Sequence, residues 1–212
     1  MELEQRKTGT TTVGLVCKDG IVLAADKRAT AGNLIVEKRG EKIHKIIDDI
    51  GITEAGSVSD NQLLIKLLRA ELKLKEVRSN KKVTVQEAAN LTAGIIYGNV
   101  RRFSIIPALS HFLMGGKDSN GYHLYDLYAD GSIMEINDYV STGSGSVFAY
   151  GVLETLYDSK MSVDDGMKLA IKAINAAMQR DNASGGGIDI AVIDAKGFRK
   201  VMTKLQETNI QV

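Results

Sequence analysis

Thr8-Gly9-Thr10-Thr11-Thr12-Val13-Gly14 is the stretch on which this chain turns. Ahead of it, Met1-Glu2-Leu3-Glu4-Gln5-Arg6-Lys7 is charged and has no hydrophobic period. After it the chain alternates: Thr11, Val13, Leu15 and Cys17 fall on one face, Thr10, Thr12 and Gly14 on the other. A period of two carried by β-branched residues predicts a half-buried strand. The border between a dispensable head and a packed strand therefore falls at Gly9-Thr10. A cut there would leave one residue carrying both a hydroxyl nucleophile and an α-amine. With a reference pKa of about 8, that amine can act as the hydroxyl's own base near neutral pH. The same letters also fit a plain Thr-rich edge strand behind a frayed terminus.

Outward from this stretch, Asp19-Gly20 is a hairpin signal leading into a second strand, Ile21-Val22-Leu23-Ala24-Ala25-Asp26. A tight hairpin returns the region of Asp26 to Thr30 to the side of Thr10 to Val13, so an acid lands near the hydroxyl by local geometry. Lys27 to Gly40 reads as a polar loop, Lys42 to Ile47 as a third strand and Gly51 to Ser57 as a fourth. Asn61 to Arg78 has helical spacing, with Leu64, Leu67, Leu68 and Leu72 as its apolar stripe. Thr84-Val85-Gln86-Glu87 is a capping box opening a helix to about Arg102, followed by Pro107, the only proline. Ala108 to Met114 reads as a strand closed by Gly115-Gly116. Tyr122 to Tyr128 and Ser132 to Val140 flank the hairpin signal Asp130-Gly131. A helix to about Tyr157 and one capped by Ser162 follow, then strands from Ile188 and Phe198. Strands, two helices, strands, two helices, strands is the order expected of an α+β fold with stacked sheets between helix layers.

With 212 residues, 44% hydrophobic and 25% charged, the chain has ordinary globular composition and room for one well-filled domain. Lys and Arg number 27 against 26 acids, so no global field recruits nucleic acid or an anionic membrane. Cys17 is the only cysteine, which excludes an intrachain disulfide, and its place on a strand predicts a small buried hydrophobe. His44, His111 and His123 are scattered without metal-ligand spacing, so no metal and no cofactor are expected. No apolar run is long enough to span a membrane. Residues 1–9 lack the apolar core of a secretory signal, and the expected compartment is the cytoplasm.

Two further small-polar clusters stand out. Thr142 to Ser146 precedes a helix, where amides can cradle an anion, but it lacks the lysine and spacing of a phosphate loop and equally fits a turn. Arg180-Asp181-Asn182-Ala183-Ser184-Gly185-Gly186-Gly187 sets an acid three residues before a hydroxyl, and alone it fits a helix C-terminus with a glycine exit.

Five pieces in one order change that picture: Gly9-Thr10-Thr11-Thr12-Val13-Gly14, Ala24-Ala25-Asp26-Lys27-Arg28 with Lys42, Ala55-Gly56-Ser57-Val58-Ser59-Asp60, Ser141 to Ser146 with Tyr150-Gly151-Val152-Leu153-Glu154, and Arg180-Asp181 with Ser184-Gly185-Gly186. From Thr10 to about Lys200 the chain resembles proteasome β subunits of the archaeal type, within the N-terminal nucleophile hydrolases. The resemblance implies a four-layer αββα sandwich of two antiparallel sheets between helix pairs. It implies that residues 1–9 are a propeptide removed by self-cleavage at Gly9-Thr10, leaving 10–212 as a single catalytic domain. Thr10 is then the nucleophile of a threonine endopeptidase that degrades unfolded proteins to peptides, with Asp26 and Lys42 flanking it. An ammonium close to the threonine lowers the cost of its alkoxide, and Asp26 holds the lysine. By the same resemblance the Gly56 N–H is the oxyanion donor, typically worth about 2.7–4 kcal/mol in the transition state. Ser144, Asp181 and Ser184 surround the threonine amine, and Ala29, Thr30, Glu54 and Val58 meet substrate.

The implied partners are other β subunits in a ring, a separate α-subunit ring, unfolded polypeptide and, indirectly, an ATP-dependent unfoldase, with no nucleic acid and no membrane. The alternative is a non-catalytic structural β subunit of the ring. Two positions depart from the pattern. Glu54 stands where an apolar or small residue is usual at the floor of the specificity pocket, and Ser59 where glycine or alanine is common. Alternation along Ile52-Thr53-Glu54-Ala55-Gly56 sets Glu54 on the face of Gly56, predicting a preference for basic side chains before the scissile bond; the alternative is that Glu54 turns aside to a neighbouring lysine or is protonated by burial, leaving an apolar preference.

Overall fold

The computed structural model describes residues 9–104 and 108–206. Residues 1–8, residues 105–107, which include Pro107, and the tail from Glu207 lie outside it. In chain order β1 (Thr12–Cys17), β2 (Gly20–Asp26), β3 (Ala29–Ala31), β4 (Leu34–Glu37), β5 (Ile43–Ile47) and β6 (Ile50–Gly56) lead into α1 (Val58–Ser79) and α2 (Val85–Val100). Then come β7 (Ser110–Asp118), β8 (Gly121–Leu127), β9 (Ile133–Ile136) and β10 (Tyr139–Thr142), followed by α3 (Ser146–Leu156) and α4 (Val163–Arg180). Strands β11 (Gly187–Asp194) and β12 (Gly197–Leu205) end the described chain.

Two five-stranded antiparallel sheets result, ordered β10-β1-β2-β11-β12 and β5-β6-β7-β8-β9. Three apolar layers bind them. Val13, Leu15, Val22, Ala24 and Ile190 pack beneath Leu153, Leu169, Ala170 and Ile174 of α3 and α4. Ile21, Leu23 and Ile193 meet Ile43, Leu113 and Leu124 between the sheets. Ile52, Phe112 and Met114 carry Leu64, Ile65, Leu68, Ala88 and Ile96 of α1 and α2. The layers are therefore helices, sheet, sheet, helices, the expected αββα sandwich. The capping box at Thr84 forms as read, its hydroxyl accepting from the Glu87 amide and Glu87 reaching back to the Thr84 N–H.

Several expectations need correction. β1 is neither half-buried nor an edge strand: it lies between β10 and β2, and helices cover one face while the second sheet covers the other. Alternation of β-branched and small residues reports the strand, but not a wet face. Lys27 to Gly40 is not a loop throughout, because β3 and β4 form a separate two-stranded ribbon about Gly32. All of β4 is exposed, so its apolar letters carry no burial period. Gly115-Gly116 does not close β7, which runs on to Asp118. A Cβ on Gly115 would stand 2.8 Å from Ile21 Cγ2, and one on Gly116 2.7 Å from Val85 Cγ2. The pair is flat so that the facing sheet and α2 can close onto the strand. Ser132 to Val140 splits into β9 and β10, which belong to different sheets. In α1, Leu67 is exposed and Ile65 takes its place in the core.

Candidate active site

The β1–β2 hairpin sets the first two partners. Thr12 pairs with Ala25, so Thr10 and Asp26 leave the same end of adjacent strands. The Asp26 N–H donates to Thr11 O at 3.1 Å, and the Thr11 N–H donates to Asp26 Oδ1 at 2.9 Å. Asp26 is fully buried, and three backbone donors hold its carboxylate: Thr11 on Oδ1, with Arg28 at 3.0 Å and Gly185 at 2.9 Å on Oδ2.

Lys42 enters from the other sheet, one residue before β5. Its Nζ donates to Asp26 Oδ1 at 2.7 Å and to Thr10 Oγ1 at 3.0 Å. Burial pushes the Lys42 ammonium below its ordinary pKa of 10.5, and the attraction of Asp26, with lesser help from Glu54 and Asp181, opposes that without reversing it. The neutral amine is thus brought nearer to use, held at a hydroxyl it can deprotonate.

The hydroxyl faces the bond ahead of it. Thr10 Oγ1 donates to the Gly9 carbonyl at 2.6 Å, and the Gly9 N–H donates to Thr30 Oγ1 at 3.2 Å. On the nitrogen side, the Thr10 N–H donates to Ser144 Oγ at 3.3 Å, and Ser144 donates onward to Asp181 Oδ2 at 2.7 Å. Ser184 Oγ also donates to Asp181 Oδ2, at 2.6 Å, and shares a 2.6 Å hydrogen bond with Thr11 Oγ1. The small-polar clusters at Thr10, Ser144 and Asp181 thereby meet in one network. Neighbouring hydroxyls bind the walls: Thr12 to Thr142 at 2.6 Å, and Ser141 to Thr12 O at 2.7 Å.

The remaining expected residues stand apart from this network. Gly56 ends β6 at φ 112°, where a Cβ would overlap Leu109 O, so only glycine fits. Ala29 lies on β3 opposite Glu37, and Val58 opens α1 with its side chain half exposed. Glu54 joins Lys42 through the backbone, its N–H donating to Lys42 O at 3.0 Å. Its side chain is buried, with Oε2 lying 3.4 Å from His44 Nε2. That separation is an ion-pair distance without hydrogen-bond alignment, and both atoms are buried without a hydrogen-bond partner. Three participants carried no readable sign in the sequence: the Thr11 side chain, the Gly185 amide and His44. Thr11 counted as strand, Gly185 as a loop exit and His44 as a scattered histidine. Cys17 is buried, as expected, and burial pushes its thiol up to about 12. Among the described residues no cluster of three or more His, Cys, Asp or Glu side chains could hold a metal, and no helix is long and apolar enough to cross a membrane.

Comparison with known proteins gives the family. The family model described as proteasome subunit matches residues 6–193. A proteasome subunit beta of Archaeoglobus profundus is 48% identical over 190 residues, covering 90% of this chain and 86% of the relative. One from Methanohalophilus mahii is 44% identical over 203 residues, covering 96% and 95%. One from Methanococcus vannielii is 48% identical over 190 residues, covering 89% and 85%. With near-complete coverage in both directions, the chain belongs to the proteasome subunit family: it is a β subunit of the 20S core particle, and its role is proteolytic.

Proposed function

We propose that this β subunit is a threonine endopeptidase whose nucleophile is Thr10, released when the chain cuts its own Gly9-Thr10 bond. The observation that carries the proposal is the buried relay in which Lys42 Nζ touches Thr10 Oγ1 at 3.0 Å and Asp26 Oδ1 at 2.7 Å. In the self-cut, Thr10 Oγ forms a bond to the Gly9 carbonyl carbon, its proton passes to neutral Lys42, and the carbonyl oxygen takes the charge. The C–N bond then breaks, the proton moves to the Thr10 nitrogen, and an ester links Gly9 to Thr10 Oγ. Water hydrolyses that ester, leaving residues 1–9 with a carboxylate and Thr10 with a free amine and hydroxyl.

Turnover of a peptide repeats the same steps on a foreign carbonyl, with water again closing the cycle. The free amine then stands in the place of the Thr10 N–H, beside Ser144 and its partner Asp181. The Gly56 N–H serves as oxyanion donor, and Ala29, Thr30, Glu54 and Val58 line the approach of substrate. The mature subunit works in a ring of β subunits against an α-subunit ring, in the cytoplasm, on polypeptide unfolded by an ATP-dependent partner.

Thr10→Ala tests the proposal: it should retain residues 1–9 by intact mass and lose peptidase activity. Thr10→Ser keeps a hydroxyl and an amine, and should process and retain part of the activity. Full processing of Thr10→Ala in a pure assembly would overturn the self-cut. Retention of the head in the assembled wild-type particle would instead favour a purely structural subunit.

A further inference from the structure

We propose that His111, Asp126 and Tyr128 form a subsite that favours a basic side chain, Lys or Arg, just after the bond that is cut; the proposal rests on Thr10 being the nucleophile. The register places the three residues. Ala55 pairs with His111 and Gly56 with Ser110, so His111 sits on β7 beside the proposed oxyanion donor. On the sheet face that meets the other sheet, Leu113 and Leu124 are core. The next positions on that face, toward the Gly56 end, are His111 on β7 and Asp126 on β8, with Tyr128 just past β8. The facing strand β1 keeps step: Val16 and Tyr122 flank the same layer, and a Cβ on Gly14 would stand 3.0 Å from Leu124. At the strand period of two, Thr12 then comes over Asp126, and Thr10 over the row of His111 and Tyr128. The same Cβ would stand 3.3 Å from Val140, so β8 lies toward β10, the strand that leads to Ser144. Thr30 holds the chain ahead of the cut bond and Ser144 the nitrogen after it, which puts the cluster on the leaving side.

The charges in this cluster fix what it can recognise. His111 Nε2 lies 2.5 Å from Asp126 Oδ1. An ionised carboxylate only accepts, so Nε2 carries the proton of that bond. Nδ1 makes no hydrogen bond to the described residues and is open to solvent. Asp126 is buried, and His111 is its only ion-pair partner among the described residues. The pair therefore carries a net charge of minus one with a neutral imidazole and none with a protonated one. It can attract a cation and has no state that attracts an acid. Tyr128 feels the same charge: Asp126 is the main cause that pushes its phenol above the ordinary pKa of 10. Its ring stands 4.9 Å from the imidazole and keeps 37% of its surface exposed. A lysine or arginine entering here meets the Nδ1 lone pair, the Asp126 field and an aromatic face, all of which favour it. His111 and Tyr128 touch the substrate side chain, and Asp126 acts through them.

The experiment uses the assembled particle and internally quenched peptides that differ only in carrying Arg, Leu or Glu after the scissile bond, with product masses confirming that the same bond is cut. The readout is the Arg-to-Glu ratio of kcat/KM, which cancels any general loss of activity. In the wild type that ratio should be at least about tenfold, the scale of one pocket contact. His111→Lys sets a permanent cation against Asp126 and should bring the ratio within about threefold of one, as should Asp126→Asn. Tyr128→Leu should lower it severalfold. His111→Lys keeps the buried carboxylate paired, and so carries the test should Asp126→Asn fail to fold. A wild type that cuts the Arg and Glu peptides equally overturns the subsite, as does a ratio that His111→Lys leaves unmoved. Thr10→Ala, run alongside, separates the two levels: its turnover of the peptides removes the nucleophile itself, while its inactivity beside a flat wild-type ratio removes only the subsite.

Discussion

Two buried lysine–aspartate pairs lie within the same sandwich, alike in distance and different in use. Lys42 meets Asp26 at 2.7 Å and Lys27 meets Asp189 at 2.6 Å, each with almost no solvent access. Lys27 ties the end of β2 to β11, and its carboxylate partner accepts a further bond from Thr203 Oγ1 at 2.8 Å on β12. Lys200 stands 3.8 Å from the same carboxylate and pairs with Glu41 at 2.5 Å. That cluster is closed: its partners are side chains that join strands. The Lys42 pair is open at one point, where a second donor of the ammonium reaches the Thr10 hydroxyl. Its carboxylate is pinned by backbone amides instead. Burying a lysine against an acid does not by itself make a base. What makes one is a rigid acid that fixes the amine while leaving one of its directions aimed at a nucleophile.

The sharpest break in this comparison comes from the two lysines themselves. Lys42→Ala should lower kcat/KM on peptides by at least about 10³-fold, near the upper range of general-base effects. Lys42→Arg should do no better, because its planar, always protonated group cannot accept the proton. Wild-type turnover in Lys42→Ala would remove it from the mechanism. The pH profile sharpens the same point. With the Lys42 pKa lowered, the neutral fraction grows with pH and kcat/KM should rise roughly tenfold per pH unit before levelling off below 10.5. The sign for stability agrees: between the lowered pKa and 10.5 the unfolded chain binds more protons, so this group's contribution rises with pH through that window.

Lys27→Met should act on folding rather than chemistry. Leaving Asp189 without its closest cation costs about 3 kcal/mol, the low end for a broken buried pair, since Lys200 remains nearby. The melting temperature falls accordingly, while turnover per folded subunit stays within a few-fold of wild type. Lys27→Met with Asp189→Leu should recover most of that loss. A drop in turnover as large as that of Lys42→Ala, at unchanged melting temperature, would dissolve the distinction between the two pairs.

How far these pairs were legible in the sequence depends on the distance the chain travels between their members. Thr10 and Asp26 are joined by a short hairpin, and Asp19-Gly20 advertises it, so local pattern brought them together. Lys42 comes from the second sheet, and only the resemblance, not periodicity, set it beside Thr10. Asp181 and Ser184 looked like a helix end, because their meaning lies in Ser144 and Thr11 more than thirty positions away. The failures in the fold have a common source too: alternation in β1 implied a wet face where the strand is covered twice, and the polar letters from Lys27 to Gly40 read as a loop where the exposed β4 pairs with β3. Gly115-Gly116 looked like a stop because nothing along the strand reveals Ile21 and Val85 pressing on it.

The smallest effect concerns a third charged contact, Glu54 with His44, which is neither closed like the Lys27 cluster nor directed like the Lys42 relay. Glu54 Oε2 and His44 Nε2 lie 3.4 Å apart and both lack a hydrogen bond, so the carboxylate keeps an unused acceptor. A substrate side chain bearing N–H donors can take that acceptor, and Coulomb attraction in a partly desolvated pocket favours Arg or Lys while disfavouring acids. The partner that competes is the histidine, not the neighbouring lysine that the sequence alone suggested. Hydrolysis of matched peptides ending in Arg, Leu or Glu should show the wild type preferring Arg, with Glu54→Ile shifting the Arg-to-Leu ratio of kcat/KM by about tenfold, the scale of one pocket contact. His44→Leu should leave Glu54 without its competitor and raise the Arg preference further. If the wild type instead favours Leu by a wide margin and Glu54→Ile leaves the ratio unmoved, the carboxylate is spent on His44 and takes no part in choosing substrate.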